Sequence, residues 1–420
     1  MKSKLKLKDM LTRVDQVDEV LLDVSSQLQQ LNGLLEATQL EWNELSANLN
    51  KKVVVDAKKK IEYLDSFDEE KQAALLKIEF NSSQKTKEEI FSQVNHAVYH
   101  QMQCEKGITS GSIADSLEHY KELLKTVRKD SPELEFVTAY QLSQKKIDGQ
   151  TSYCQIRHDV DADIVACLPM AKIEADLGIQ STYFLLHTAA YYGEWNVDNN
   201  KAIFHRYESL ADYYLELQAL GHEVAIHTDP LHLYQNIKVD GAETLVAELE
   251  WLRSIGIKVY GTAPHNNPLE YGASNSAIFN GRNKLTKGGV VHGVIKNGLW
   301  AGLGLLEEKE LGLLYETDDI YDSQIKCEVT YVSIISPGRW WKCSQKANSL
   351  SNNKISKPWK FWLINEGEDM PVGVFVNWCS TSGVFSHITN AQKSVSILSV
   401  HPEHFGYRAN ESAFPSALTK

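Results

Sequence analysis

Residues 10–49 carry an unbroken heptad. Met10, Val14, Val17, Leu21, Val24, Leu28, Leu31, Leu35, Thr38, Trp42, Leu45 and Leu49 alternate steps of four and three, and only Thr38 among them is polar. The stripe of an ordinary amphipathic helix drifts around its axis at that period, so the repeat predicts a coiled coil. At 1.5 Å per residue the rod is roughly 60 Å long. Heptads do not say which helix is the partner: another chain, giving a homo-oligomer or a partner helix, or an antiparallel hairpin within one chain. The pattern stops at Lys51-Lys52. Thr86-Lys-Glu-Glu89 is a capping box that opens a helix with Ile90, Val94, Val98 and Met102 on one stripe. After a break at 107–111, Ser112 opens another helix that ends near Pro132. Residues 1–130 therefore read as an all-helical coiled-coil region.

From about residue 150 short β-branched or aromatic runs alternate with helical ones. Residues 153–161 predict a strand, 164–177 a helix ended by Gly178, and 181–186 the next strand. Residues 207–220 predict a helix ended by Gly221, before a strand at 223–227. Residues 243–255 predict another, ended by Gly256, before a strand at 257–260. Glycine suits these positions because the residue after a helix adopts the left-handed conformation at little steric cost. Strand–helix alternation with short turns predicts an α/β fold with a parallel sheet, open or closed into a barrel, over a domain of 131–420. Residues 270–390 are less regular, with a strand-like run at 372–376, and 394–400 is the last clear strand. Pro169 demands either a kinked first helix or a helix that starts near it.

The chain has 420 residues, and 43 Lys and Arg against 55 Asp and Glu give a net charge of −12. That balance argues against nucleic acid as a partner, since phosphate binding rests on basic patches. No run of about 18 apolar residues predicts a transmembrane helix. The basic start has no apolar block behind it, so it does not read as a secretory signal. Six cysteines lie far apart without a C-x-x-C pair. Together these features predict a cytoplasmic protein without a disulfide framework.

The predicted strands end in titratable residues: Arg157-His158-Asp159-Val160-Asp161, His187, His227-Thr-Asp229, His265 and His401. In parallel α/β folds ligands bind at the carboxyl edge of the sheet. Aspartates and histidines gathered there suggest a metal-dependent hydrolase. Asp159 and Asp161 lie two apart in an extended segment, so their carboxylates share a side. One of them can ligate a metal while the other serves as base, or both can simply cap a turn. Asp163 reads as the cap of the next helix. His227 closes its strand at the rim, whereas His222 opens the same strand at the far end and reads as structural. His232, five residues beyond His227 and across a proline, and His265 compete as the third ligand. His401 emerges from a buried strand and suits a proton donor. Arg157, His158 and His187 are the candidate substrate contacts. Trp300, Tyr315, Trp340, Trp341 and Trp378 are aromatic candidates for stacking on a ligand.

Arg157-His-Asp-Val-Asp161, the stretch 170–184 and Gly221-His-Glu-Val-Ala-Ile-His227, in that order and spacing, resemble the polysaccharide deacetylase family, a carbohydrate esterase group that includes the nodulation chitooligosaccharide deacetylase. The resemblance spans roughly 135–410 and is detailed over 155–270. It implies an irregular (β/α) barrel of about seven strands and removal of N-acetyl or O-acetyl groups with one divalent metal, zinc foremost and cobalt or manganese after it. Carried over, it implies Asp159 as base, Asp161 and His227 as ligands and His401 as general acid. Two features depart from the family. Its second motif spaces the two histidines four apart, where the step to His232 is five. Its third motif offers arginine and proline where this chain has Ala263-Pro264-His265. His265 as third ligand accounts for both departures. The implied substrate is a glycan, or a nucleotide- or lipid-linked sugar, in surface polysaccharide biosynthesis. The alternatives are a coiled-coil scaffold of a glycan-assembly complex with an inactive hydrolase domain, and an amidohydrolase acting on a non-sugar amide.

Overall fold

A computed structural model describes residues 75–106, 113–145, 147, 151–198, 200–265, 275–279, 306–320, 329–336, 339–345, 360–365 and 395–405. The heptad at 10–49, the run at 372–376, Trp300 and Trp378 lie outside the described residues. The principal elements are β1 (Lys77–Ser82), α1 (Lys87–Lys106), α2 (Ile113–Asp130), β2 (Glu135–Phe136), α3 (Ala139–Gln144), β3 (Tyr153–Val160), α4 (Ile164–Asp176), β4 (Thr182–Leu186), β5 (Gly193–Asp198), β6 (Lys201–Arg206), α5 (Ala211–Ala219), β7 (Glu223–Thr228), α6 (Gly241–Ser254), β8 (Gly261–Pro264), β9 (Tyr315–Glu316), β10 (Val329–Ser336), β11 (Arg339–Gln345), β12 (Lys360–Asn365), β13 (Val395–Val400) and α7 (Pro402–Phe405).

The main sheet is a curled half-barrel of six parallel strands with helices, in the order β13-β3-β4-β7-β8-β9. Beyond β13 the sheet continues through β10, parallel to β13, and the antiparallel β11 and β12. β3, β4, β7 and β13 are buried along their whole length, as in a sheet covered on both faces; β4 reads as a near-continuous apolar run, whereas β3 carries Gln155, Arg157, His158 and Asp159 into the interior. Gly178, Gly221 and Gly256 take φ of +65°, +94° and +100° after α4, α5 and α6. These are the left-handed turns that return the chain to the sheet.

Register assigns the faces. Asp159 pairs with Phe184, Phe184 with Ala225, Leu186 with His227, His227 with Ala263, and Arg157 with Ser399. Directly paired residues share a face, so these side chains line one side of the sheet. That side also carries the core cluster of Phe184, Ala225, Ala263, Tyr315, Val395 and Ile397.

The other face of β3 and β4 carries a buried polar hub. The Glu174 carboxylate on α4 accepts from His158 Nε2 at 2.6 Å and from the Tyr120 hydroxyl on one oxygen. On the other it accepts from Ser181 Oγ at 2.6 Å and Tyr183 Oη at 3.0 Å. His222 completes it, with Nδ1 at 2.9 Å from Ser181 Oγ and Nε2 on the Ala171 carbonyl at 2.9 Å. Burial alone would raise the Glu174 carboxyl, but the His158 charge and these hydrogen bonds hold it down at about 2.

Two features differ from the sequence-based expectations. The region 1–130 is not all helical: β1 lies within it and pairs parallel with β6, which pairs antiparallel with β5 in a separate three-stranded sheet. The α1 and α2 helices pack on α4, and Tyr120, Leu123, Leu124 and Val127 are buried. The strand expected at 257–260 lies instead at Gly261–Pro264, because the backbone before it is engaged elsewhere. Ile257 N–H caps α6 on Leu252 O, Lys258 N–H donates to Gln218 Oε1 and Tyr260 O accepts from Leu314 N–H. The helix expected over 164–177 forms as α4, and it runs through Pro169 rather than starting near it. The Tyr213 hydroxyl fills the gap, accepting from Leu168 N–H at 2.8 Å and donating to Ile164 O at 2.7 Å. It thereby satisfies backbone groups that a proline ring pushes apart.

Candidate active site

The carboxyl ends of β3, β7, β8 and β13 bring Asp161, His227, His265 and His401 together. Asp161 Oδ1 lies 3.6 Å from His227 Nε2, and its Oδ2 lies 3.6 Å from His265 Nε2 and 3.4 Å from His401 Nε2. Burial alone would raise Asp161, but contacts from His265 and His401 hold it well below the usual carboxylate range. Burial works the other way on the two imidazoles. Asp161, with Asp229 in the case of His265, overcomes it and lifts His265 to about 10 and His401 to about 9.

Whether these residues suit a divalent ion can be judged from their own geometry. Among the described residues no group of three or more His, Cys, Asp or Glu side chains is already closed to hold a metal. The separations nevertheless match those of ligands sharing one ion. Two donors each about 2.1 Å from a tetrahedral ion lie about 3.4 Å apart, whereas a direct charge-assisted N–H···O bond is about 2.7–2.9 Å. Asp161 Oδ1 is also buried and, among the described residues, has no hydrogen-bond partner. His227 Nδ1 lies 3.0 Å from Ala263 O; a carbonyl only accepts, so Nδ1 carries the proton and Nε2 presents its lone pair. The donor set of one carboxylate and imidazoles suits zinc or a similar ion. It fits.

Asp159 lies beside this cluster and is buried. Arg157 clamps it through Nε to Oδ1 at 2.8 Å and an Nη to Oδ2 at 3.0 Å, and Ser399 Oγ donates to Oδ2 at 3.0 Å. Burial alone would raise its carboxyl, but the Arg157 charge, then those of His227 and His401, lower it. Arg157, a candidate substrate contact, is thus spent on Asp159, with its guanidinium 5.1 Å from the Phe184 ring centre.

His158 does not join the site. It is fully buried on the opposite face, bound to Glu174 and stacked on Tyr183 at 4.2 Å. Alternation along an extended strand sends residues 157, 159 and 161 one way and 158 the other. His232 also stays away: it is exposed, with Nδ1 on the Asn236 amide at 3.0 Å. His187 is 1% exposed, and among the described residues neither of its ring nitrogens has a hydrogen-bond partner. Burial lowers it to about 4, so it sits near the cluster as a neutral ring. Tyr315 is buried in the core with its hydroxyl on Glu223 at 2.7 Å, so it offers no face to a sugar. Trp340 and Trp341 lie in β11. Asp163 caps α4 through Ala166 N–H.

Three neighbours were given no role by the sequence reading. Glu403, just past His401, is buried, and burial lifts its carboxyl to about 7 against the pull of His401. Asp229 accepts from His265 Nδ1 at 3.1 Å and from Thr188 Oγ1 at 3.0 Å. Asn275 donates to the other Asp229 oxygen at 3.1 Å. A signal for Asp229 was present, because His227-x-Asp229 after β7 repeats the x-alternation of Asp159-x-Asp161 after β3. Asn275 had none. No family model, curated protein or solved structure matches the chain.

Proposed function

We propose that this chain is a metal-dependent deacetylase that hydrolyses an N-acetyl (or O-acetyl) group on a glycan or glycan precursor in surface polysaccharide biosynthesis. The observation that supports it is the convergence of three imidazoles on Asp161 at 3.4–3.6 Å, with an arginine-clamped second carboxylate beside them. Asp161, His227 and His265 would hold one divalent ion, zinc foremost, which lowers the pKa of a water and polarises a carbonyl. The half-barrel then corresponds to the irregular (β/α) barrel of about seven strands that the sequence resemblance implies.

The protein's own groups divide the proton work. Asp159, kept ionised by Arg157, takes a proton from the attacking water. His401, at the end of β13 and 3.4 Å from Asp161, delivers a proton to the nitrogen as the C–N bond breaks. Acetate and a free amine leave. A nucleotide- or lipid-linked N-acetylated sugar in the cytoplasm is the substrate class, and the heptad gives a homo-oligomer or a partner helix.

Zinc content and acetate release test the reading together. The purified full chain is expected to hold about one ion and to release acetate from nucleotide- or lipid-linked N-acetylated sugars. Asp159→Asn should keep the ion and lose at least about 10²-fold in rate, while Asp161→Asn loses both. A metal-free, inactive wild type would overturn the proposal in favour of a scaffold. A metal-loaded protein that cleaves only non-sugar amides would overturn the substrate.

A further inference from the structure

We infer that Asp229 is a positioning residue that aims His265 at the metal, so that β7 supplies one ligand and the brace for another. The inference rests on the metal-site reading above. Asp229 is 4% exposed and lies just past β7, two residues beyond His227. Its Oδ2 accepts from His265 Nδ1 at 3.1 Å and Thr188 Oγ1 at 3.0 Å, and its Oδ1 accepts from Asn275 Nδ2 at 3.1 Å. Asn275 is itself fully buried, bonds the His265 carbonyl through Nδ2, and accepts from Leu231 N–H at 3.1 Å. His265 N–H donates to Thr228 O at 2.9 Å. Ring and backbone are therefore both fixed.

A carboxylate on Nδ1 settles the tautomer, puts the lone pair on Nε2 and makes it more basic. The two histidines differ in what they need. His227, with 3% side-chain exposure, is pinned by burial and a carbonyl suffices. His265, at 19%, stands at the open rim on a loop and takes the stronger anchor. Among the described residues, the partner of His232 is the Asn236 amide, not a carboxylate. The step of five between His227 and His232 thus matters less than the aspartate between them.

The test is zinc affinity of the full-length chain, measured by competition with a chromophoric chelator. It compares wild type, Asp229→Asn, Asp229→Ala, His265→Ala and the Asp229→Asn/His265→Ala double variant. Removing such a partner costs about 10–100-fold in affinity, so Asp229→Asn should sit near the lower figure and Asp229→Ala near the higher. In the His265→Ala background Asp229→Asn should cost nothing further, because the brace then has nothing to hold. A general structural role would give the same loss in both backgrounds and would overturn the inference. So would wild-type affinity in the Asp229 variants alongside a weakened His265→Ala. If His265→Ala and Asp161→Asn both bind zinc like wild type, the metal-site reading itself fails, which is a different result. Thr188→Val, which loosens Asp229 without touching its charge, carries the same comparison if an Asp229 variant does not fold.

Discussion

Replacing Glu174 by glutamine should destabilise the barrel through a loss that depends on pH. The carboxylate takes hydrogen bonds from His158, Tyr120, Ser181 and Tyr183. An amide accepts on one side only, so two of these four buried donors would face an N–H. Each donor left unpaired costs about 1–3 kcal/mol, giving about 2–6 kcal/mol in all. Linkage gives a second figure. The carboxyl stands at about 2 against an ordinary 4.5, which corresponds to on the order of 3 kcal/mol. Because the folded value is the lower one, this contribution is complete above about pH 4.5 and is lost as pH falls through about 2. At roughly 2 °C per kcal/mol for a body of this size, Glu174→Gln should lower the melting temperature by about 6–8 °C at pH 7. The deficit should shrink to less than half at pH 3, measured by tryptophan fluorescence. Tyr120→Phe, which removes one donor together with its need for a partner, should cost much less. An unchanged melting temperature at pH 7, or a deficit as large at pH 3, would refute the hub's role.

Two further outcomes follow from the site. Arg157→Met removes the charge that offsets burial at Asp159, so the acid limb of the activity profile should move to higher pH; a limb that stays put would mean that Asp159 does not set it. Gly261→Ala would place a Cβ 2.4 Å from the Tyr315 ring. The overpacking should cost about 1–3 kcal/mol in urea unfolding and weaken zinc binding by shifting β8 under His265; a variant as stable and as tight as wild type would show that the ring can move aside.

The strand ends were legible because a period of two fixes faces without any knowledge of partners. Asp159 and Asp161 had to share a side, and His227 had to face the rim of its strand. The same rule applied to His158 would have sent it to the far face with Tyr183. Local backbone chemistry was less legible. A strand at 257–260 looked right by composition, but Gln218 and the α6 cap claim its N–H groups. β1 shows a weak alternation through Ile78 and Phe80 that charged neighbours obscure, and its pairing with β6 joins residues more than a hundred positions apart. Long-range partners such as Asn275 on Asp229 leave no periodic trace at all.

The R-H-D-V-D stretch is best understood as two functions interleaved on one strand. Arg157 and Asp159 face the site, with Asp161 just beyond them, while His158 is clamped between the Tyr183 ring and Glu174 behind it. Sliding or twisting β3 enough to shift either aspartate would pull His158 out of a fully buried hydrogen bond. Tyr120 carries that clamp onto α2, a helix that precedes β3 by more than twenty residues. A site needs its reacting groups held to within about 0.5 Å by side chains that are themselves locked. Through Tyr120, α2 therefore supports the candidate site without touching it, by holding the rear of β3, which carries Asp159 and leads into Asp161.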